Sequence, residues 1–384
     1  MNPGLARVRQ PRLCSPRSDN AGSANISHSH EEQHTLRGTW LVGFNLSPLV
    51  VKRQLSLDDL KGRSLAVDAN NTLYQFLALI RMRDGRPFAD SEGHITSHLI
   101  GLLLRTTRLI ADHDIRPVFV FDGKPPELKK RTLEERRRYR ERARTDWEEA
   151  VKRKDYSAAW SKAVTMNSLT RPMQDDAKRV LEMLGVPWIQ APQEAEAQAA
   201  HMAMKGHVWA ANSRDYDSVL FGSPRLVRYV TISGQEFLPS KGTARPLIPE
   251  MIELANLLQH LEITREQLID LAVMVGTDFN EGIKGVGPKT ALRLIKTYGT
   301  LERLPPQYKD QLAESVNEVR TIFLEPPVIN DVKIQYSGLK EDELRQFLCA
   351  RRGFSKVRID LAIERMREFY ARERSTLTPW LGKK

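Results

Sequence analysis

Seven carboxylates in this 384-residue chain fall where their type and spacing could do chemistry. Asp68 ends the run SLAVD, Asp122 ends IRPVFVFD, and Asp215 and Asp217 stand two apart in SRDYDSVLFG. Asp278 lies in MVGTDFNEG, and Glu194 and Glu196 sit among alanines in APQEAEAQAAHMA, residues 191–203. A single acid after an apolar run is ordinarily a turn or cap residue. The repetition in separate segments, together with the two glutamates, points instead to one shared site. Gathered carboxylates repel each other and stay ionised only beside cations. No cysteine or histidine is placed as a partner ligand, and an all-oxygen donor set suits Mg²⁺, with Mn²⁺ as a substitute. Two such ions, roughly 3.5–4 Å apart, could drive hydrolysis of a phosphodiester.

The elements that must position these acids follow from hydropathy. The short apolar run at 64–71 is followed by helical periodicity over 72–80, and a second helix is expected at 94–113. Residues 115–123 form another strand ending in an acid, AQAAHMAMKG forms a helix, and 207–222 repeats the strand-plus-acid unit. This alternation predicts an α/β fold with a mostly parallel central sheet flanked by helices. In such sheets ligands sit beyond the carboxyl ends of the strands. In extended chain, residues i and i+2 face one side, so Asp215 and Asp217 are expected to converge. Glu194 and Glu196 would point about 200° apart on a regular helix. Either the helix starts only after Glu194, as Pro192 encourages, or one acid acts through a bound water. The alanines would let the helix lie close to the sheet. Residues from about 262 to 300 read as helical around a Gly-rich turn, and the remainder as mostly helix with a polar tail.

Charge points to the partner. The chain carries 59 Lys+Arg against 48 Asp+Glu, a net charge of +11, which favours a polyanion. The run KKRTLEERRRYRERAR, residues 129–144, holds nine basic and three acidic residues. Its charges occur on every helical face, so it is not a core helix. Two cysteines, Cys14 and Cys349, exclude a disulfide scaffold or a cysteine-rich zinc site. They fit a reducing, cytoplasmic setting. No apolar run is long enough to cross a membrane, and the start of the chain lacks the apolar core of a secretory signal. Residues 1–42 are Ser-, Asn- and His-rich and unpatterned, and read as a disordered leader. His28, His30 and His34 have no ordered scaffold around them there.

The blocks VDANNTLYQF, FVFDGKPPELKK, APQEAEAQAA, SRDYDSVLFG and GTDFNEGIKGVGPKTAL occur in order. Together they resemble the signature blocks of the flap endonuclease/XPG family of structure-specific nucleases, in spacing most like its archaeal flap endonucleases. The resemblance runs from about Gly43 to the C-terminus. It implies a PIN-like nuclease fold, with a helical arch over about 127–178 and a helix–two-turn–helix over about 270–300, in a nuclease domain spanning 43–370. It further implies that Asp68, Asp122, Glu194 and Glu196 hold one metal region, and that Asp215, Asp217 and Asp278 complete a second. The family's basic catalytic pair falls on Lys129 and Arg136, which would contact the scissile phosphate; membership of a solvated charge run is the alternative. The basic run would form the arch that admits a single-stranded 5′ end. The short stretch between Lys129 and Glu194 favours the flap enzymes over nucleotide-excision relatives with a longer insertion. In GIKGVGPKTALRLIKTYG, Lys284, Gly285, Gly287 and Lys289 would hold duplex phosphates, and the family places a potassium ion in this turn. Tyr74 matches an aromatic that stacks on a base, though an aromatic on an amphipathic helix is also a core candidate.

The two ends carry further expectations. Gly43 matches the family's N-terminal glycine beside the active site, so the native start is expected at Val42 or Leu41, with residues 1–42 an upstream extension; a genuine disordered extension is the competing reading. Residues 371–384 resemble a tail that binds the sliding clamp (PCNA), with Leu377, Trp380 and Leu381 as apolar plugs. Arg374 and Leu381 depart from that motif, and a loose tail is the alternative. The functional expectation is a monomeric 5′-flap endonuclease with 5′-3′ exonuclease activity, acting on branched DNA in replication and repair. The rivals are a junction-cleaving nuclease of the same family and a non-catalytic DNA-binding clamp adaptor.

Overall fold

A computed structural model describes residues 45–381, apart from 83–84, 156–157, 159–161, 164–167, 232–233 and 239–242. Nine strands are described: β1 (Arg53–Gln54), β2 (Ser64–Asp68), β3 (Arg116–Phe121), β4 (Trp188–Gln190), β5 (Ala210–Asn212), β6 (Arg225–Arg228), β7 (Gly234–Leu238), β8 (Thr243–Leu247) and β9 (Glu250–Glu253). Seven of them form one sheet in the order β1-β9-β6-β5-β2-β3-β4, and β7 and β8 pair separately as a hairpin. From β6 to β4 every pairing is parallel, and β9 and β1 add an antiparallel edge. The expected mostly parallel sheet is therefore present.

Alternation along the strands buries the sheet on both faces. Leu65 and Val67 of β2, with Phe119 and Phe121 of β3, pack into one core, together with α1 (Ala69–Leu79), α2 (Ser97–His113) and helix Arg171–Leu184. The final helix, Lys356–Leu381, closes that side through Ile359, Ile363 and Met366. Ala66, Val118 and Val120 face the opposite core, with helices Ala195–Met204 and Arg265–Val275. Ala195, Ala197, Ala199 and Ala200 are buried there, and their small side chains bring the first of these helices close against the strands. Truncating a fully buried ring such as Phe119 to alanine costs about 3–5 kcal/mol in comparable cores.

By contrast, α3 (Lys130–Lys152) buries only Ala143 and Ala150 along its 23 residues. The charge on every face, read from sequence, keeps it out of the core. Helix Arg265–Val275 leads into the Gly-rich turn, and helix Pro288–Tyr298 leaves it, with Gly287 at its N-cap. No helix among the described residues is long and apolar enough to cross a membrane.

Candidate active site

The acids meet at the carboxyl ends of four adjacent parallel strands. Asp68 is the last residue of β2 and the N-cap of α1, accepting from the Asn71 amide at 2.9 Å. Asp122 directly follows β3, Glu194 lies four residues beyond β4, and Asp215 and Asp217 follow β5. Asp278 comes from the turn after helix Arg265–Val275. Asp68, Asp217 and Asp278 are each only 7% exposed.

The Glu194–Glu196 spacing resolves in favour of a late helix start. Glu194 is the N-cap, in extended conformation (φ −80°, ψ 128°), and the helix begins at Ala195. Asp122 reaches across from β3 to accept the Ala195 amide at 2.8 Å, so one acid caps the helix that presents another. That approach needs glycine at 123, where a Cβ would stand 2.2 Å from the Ala191 carbonyl oxygen. Glu196 accepts from the Ser218 hydroxyl at 3.2 Å.

The expected geometry of Asp215 and Asp217 is corrected. β5 ends at Asn212, the chain turns through Ser213–Tyr216, and Asp217 opens the one-turn helix Asp217–Leu220. Extended alternation thus does not aim these two acids; the turn does.

Electrostatics show how unfavourable the cluster is without ions. Burial raises the Asp68 carboxyl well above its ordinary range, with Asp122 adding to it. Burial does the same for Glu196, reinforced by Asp217 and Asp215, and for Asp217, reinforced by Asp278 and Asp215. Asp215 is raised to about 6 by burial and by Asp278. Glu194 is raised by burial against the pull of Lys129.

Two cations from the base of α3 reach the acids. Lys129 Nζ lies 2.5 Å from Glu194 and 3.5 Å from Asp278. Arg136 Nη2 donates to the Asp278 carboxylate at 2.5 Å. Burial lowers the Lys129 pKa, but Glu194, Asp278 and Asp122 outweigh it and hold the ammonium protonated. Thr132 donates to the Asp278 carbonyl at 2.8 Å, and Arg131 pairs with Glu281 at 2.7 Å. The first turns of α3 are therefore docked on the acid cluster rather than solvated.

Three features fit divalent cations here: the oxygen-only donors, the carboxyls pushed toward protonation, and the unpartnered buried oxygens Asp217 Oδ1 and Asn70 Oδ1. Among the described residues no trio of acids is already gathered as a coordination set. With Lys129 and Arg136 paired to Glu194 and Asp278, the carboxylates are spread over protein partners instead.

Sequence reading named Lys129 and Arg136 but missed a set of amide partners. Asn70 donates to Asp122 at 2.7 Å and Asn71 to Asp215 at 2.6 Å, while Gln75 donates to the Asn71 carbonyl. The only signal was two adjacent amides, Asn70 and Asn71, with one residue between them and Asp68. Tyr74 is half-buried on α1, with Arg140 of α3 3.5 Å from its hydroxyl, so it lies against α3 rather than in the core.

In the Gly-rich turn Ile283 and Val286 are buried, whereas Lys284, Gly285, Gly287 and Lys289 are exposed. Gly285 has φ +79°, and neither it nor Gly287 has a neighbour that a Cβ would meet. The turn presents open backbone flanked by lysines. Gly43 lies outside the described residues, as do the side chains of Leu377, Trp380 and Leu381. The helix Lys356–Leu381 carries the backbone through those three tail positions.

Comparison with known proteins accords with this arrangement. Residues 35–143 match the XPG N-terminal domain and residues 185–278 the XPG I-region. The flap endonuclease 1 of Caldivirga maquilingensis is 48% identical over 337 residues, 87% of this chain and 96% of that protein. The structure of flap endonuclease-1 from Methanococcus jannaschii matches with a TM-score of 0.68 at 36% identity, covering 86% of this chain and 100% of that one. The catalytic core of Rad2 in complex with DNA substrate matches with a TM-score of 0.60 at 25% identity, covering 82% and 96%.

Proposed function

The chain belongs to the XPG family of nucleases, and on that premise we propose that it is a structure-specific 5′-flap endonuclease of DNA replication and repair, with 5′-3′ exonuclease activity. One observation carries this reading. Adjacent parallel strands deliver their acids to one place, roofed by the base of a strongly basic helix.

Asp68, Asp122, Glu194 and Glu196 would hold one divalent ion region, and Asp215, Asp217 and Asp278 the second. Mg²⁺, or Mn²⁺ in its place, would supply Lewis acidity at the phosphate and a nucleophile at neutral pH. Lys129 and Arg136 are the basic pair that would contact the scissile phosphate. They lie against Glu194 and Asp278, where they would meet a scissile phosphate held at the acids. Arg136 contributes a planar fork that suits a phosphate bidentately. The rest of α3, exposed and basic, guides a single-stranded 5′ end, and Tyr74 beneath it offers a base-stacking face. Lys284, Lys289 and the open backbone at Gly285 and Gly287 hold duplex phosphates independently of sequence. A potassium ion in that turn, clamp binding through Leu377, Trp380 and Leu381, a glycine amine at Gly43 near the site, action as a monomer and a cytoplasmic setting complete the proposal.

Product mapping on 5′-flap, nicked and four-way-junction DNA tests the reading. It requires Mg²⁺-dependent incision near the flap junction, abolished by a chelator. Preferred cutting of the four-way junction would assign the chain to the junction-cleaving members instead, and binding without cleavage would make it an adaptor.

A further inference from the structure

We propose that Arg228 is a positioning residue that sets the Asp215–Asp217 turn for divalent-cation binding. This inference rests on the reading of Asp215 and Asp217 as metal ligands. Arg228 ends β6, next to β5, whose chain runs on into that turn. Its Nε donates to the carbonyl of Arg214 at 2.7 Å, fixing the backbone one residue before Asp215. Its Nη1 donates to the Tyr216 hydroxyl at 2.6 Å, and its guanidinium lies over the Tyr216 ring at 4.0 Å. Tyr216 stands between the two acids and is the N-cap of the helix that Asp217 opens. Holding Tyr216 therefore fixes where that helix begins and where Asp217 points. Asp217 needs this external support, because its Oδ1 has no hydrogen-bond partner.

The other side of Arg228 is tightly specified too. Glu250, its direct cross-strand partner on β9, accepts from Nη1 at 2.7 Å, and Lys52 pairs with Glu250 at 2.7 Å. Nη2 donates to the Tyr229 hydroxyl at 3.0 Å, and the Tyr229 ring lies 4.8 Å from the guanidinium. Tyr229 has φ +62°, a left-handed conformation that an aromatic residue adopts only where its surroundings impose it. Here the strained backbone returns the Tyr229 side chain to Arg228, so the guanidinium is held by two rings. Ser47 lies 2.9 Å from the Tyr216 hydroxyl, fastening the brace to the first described segment of the chain. Arg228, Tyr216 and Glu250 are all buried. A buried ion pair alone is weak evidence for stability. What separates this one from a purely structural pair is that two of its donors are spent on the acid turn.

The test is Mn²⁺ affinity, measured by electron paramagnetic resonance on DNA-free protein, alongside thermal unfolding. Arg228→Met should weaken Mn²⁺ binding about 10–100-fold, the range seen when groups that orient metal ligands are removed. Tyr216→Phe, which leaves the ion pair intact, should weaken it in the same direction by a smaller factor. Glu250→Gln disturbs the same pair from the side that does not touch the turn, and should lower Tm while retaining Mn²⁺ affinity. In flap cleavage, the Arg228→Met defect should shrink as Mg²⁺ is raised, with KM for DNA unchanged. Wild-type Mn²⁺ affinity in Tyr216→Phe and in folded Arg228→Met would overturn the inference while leaving the metal site standing. Equal losses of affinity in Arg228→Met and Glu250→Gln would also overturn it, reducing Arg228 to a stabilising residue. Absence of Mn²⁺ binding by the wild type would overturn the metal site and this inference with it.

Discussion

At the scale of residues, the cluster is a set of carboxyls held in a state they resist. Asp215 has an ordinary value of 3.8 and is raised to about 6 by burial and Asp278. Between those values the folded metal-free chain holds a proton that the unfolded chain has released. Stability therefore falls as pH rises through that window. Relative to Asp215→Asn, the metal-free wild type should lose stability from about pH 4 to 6, followed by urea unfolding at each pH. Saturating Mg²⁺ binds only the folded site and should reverse the comparison at neutral pH. A difference that stays flat with pH would contradict the electrostatic account. The acids themselves were legible in sequence because several close apolar runs and the rest cluster at helix starts or beside turns. Their partners were not. Asn70 and Asn71 reach acids on other segments, and Arg228 reaches the turn that carries two of them; such contacts leave no local pattern.

At the scale of elements, the parallel sheet does most of the positioning, and its mostly parallel character was legible from alternation, whereas the strand order was not. The turn at Ser213–Tyr216 was not, because SRDYD reads equally well as extended chain; the tertiary hold of Arg228 on Arg214 and Tyr216 decides it. The start of the alanine-rich helix was legible from Pro192 and from the conflict between Glu194 and Glu196. What sequence could not reveal is that Asp122 supplies the cap. The Gly-rich turn makes a prediction that separates folding from binding. At Gly287, φ is −95° and no atom stands within 4 Å of a would-be Cβ. Gly287→Ala should fold with a stability change below about 1 kcal/mol, the scale of an N-cap change. It should nevertheless weaken duplex binding several-fold by keeping phosphate off the backbone, measured by fluorescence anisotropy. Undiminished affinity would remove this turn from the interface.

At the scale of the whole molecule, two buried faces of one sheet make a rigid floor, and a basic helix that barely enters the core stands over it. The floor fixes the acids while the exposed length of α3 beyond its docked first turns faces outward, and the net charge of +11 draws a polyanion to both. The resemblance read from five blocks extends to this level, whereas the β7–β8 hairpin and the continuation of the final helix to Leu381 had no clear sequence signal. Deleting residues 375–384 should abolish stimulation by a sliding clamp and spare intrinsic cleavage; stimulation unchanged by the deletion would remove the tail from the account. The most direct test compares wild type with Asp217→Ala on a 5′-flap substrate in Mg²⁺, scoring binding and cleavage in parallel. The account predicts that the variant binds the flap as the wild type does and no longer cuts it. Unchanged cleavage by Asp217→Ala would contradict the central claim that this carboxylate cluster is the catalytic centre.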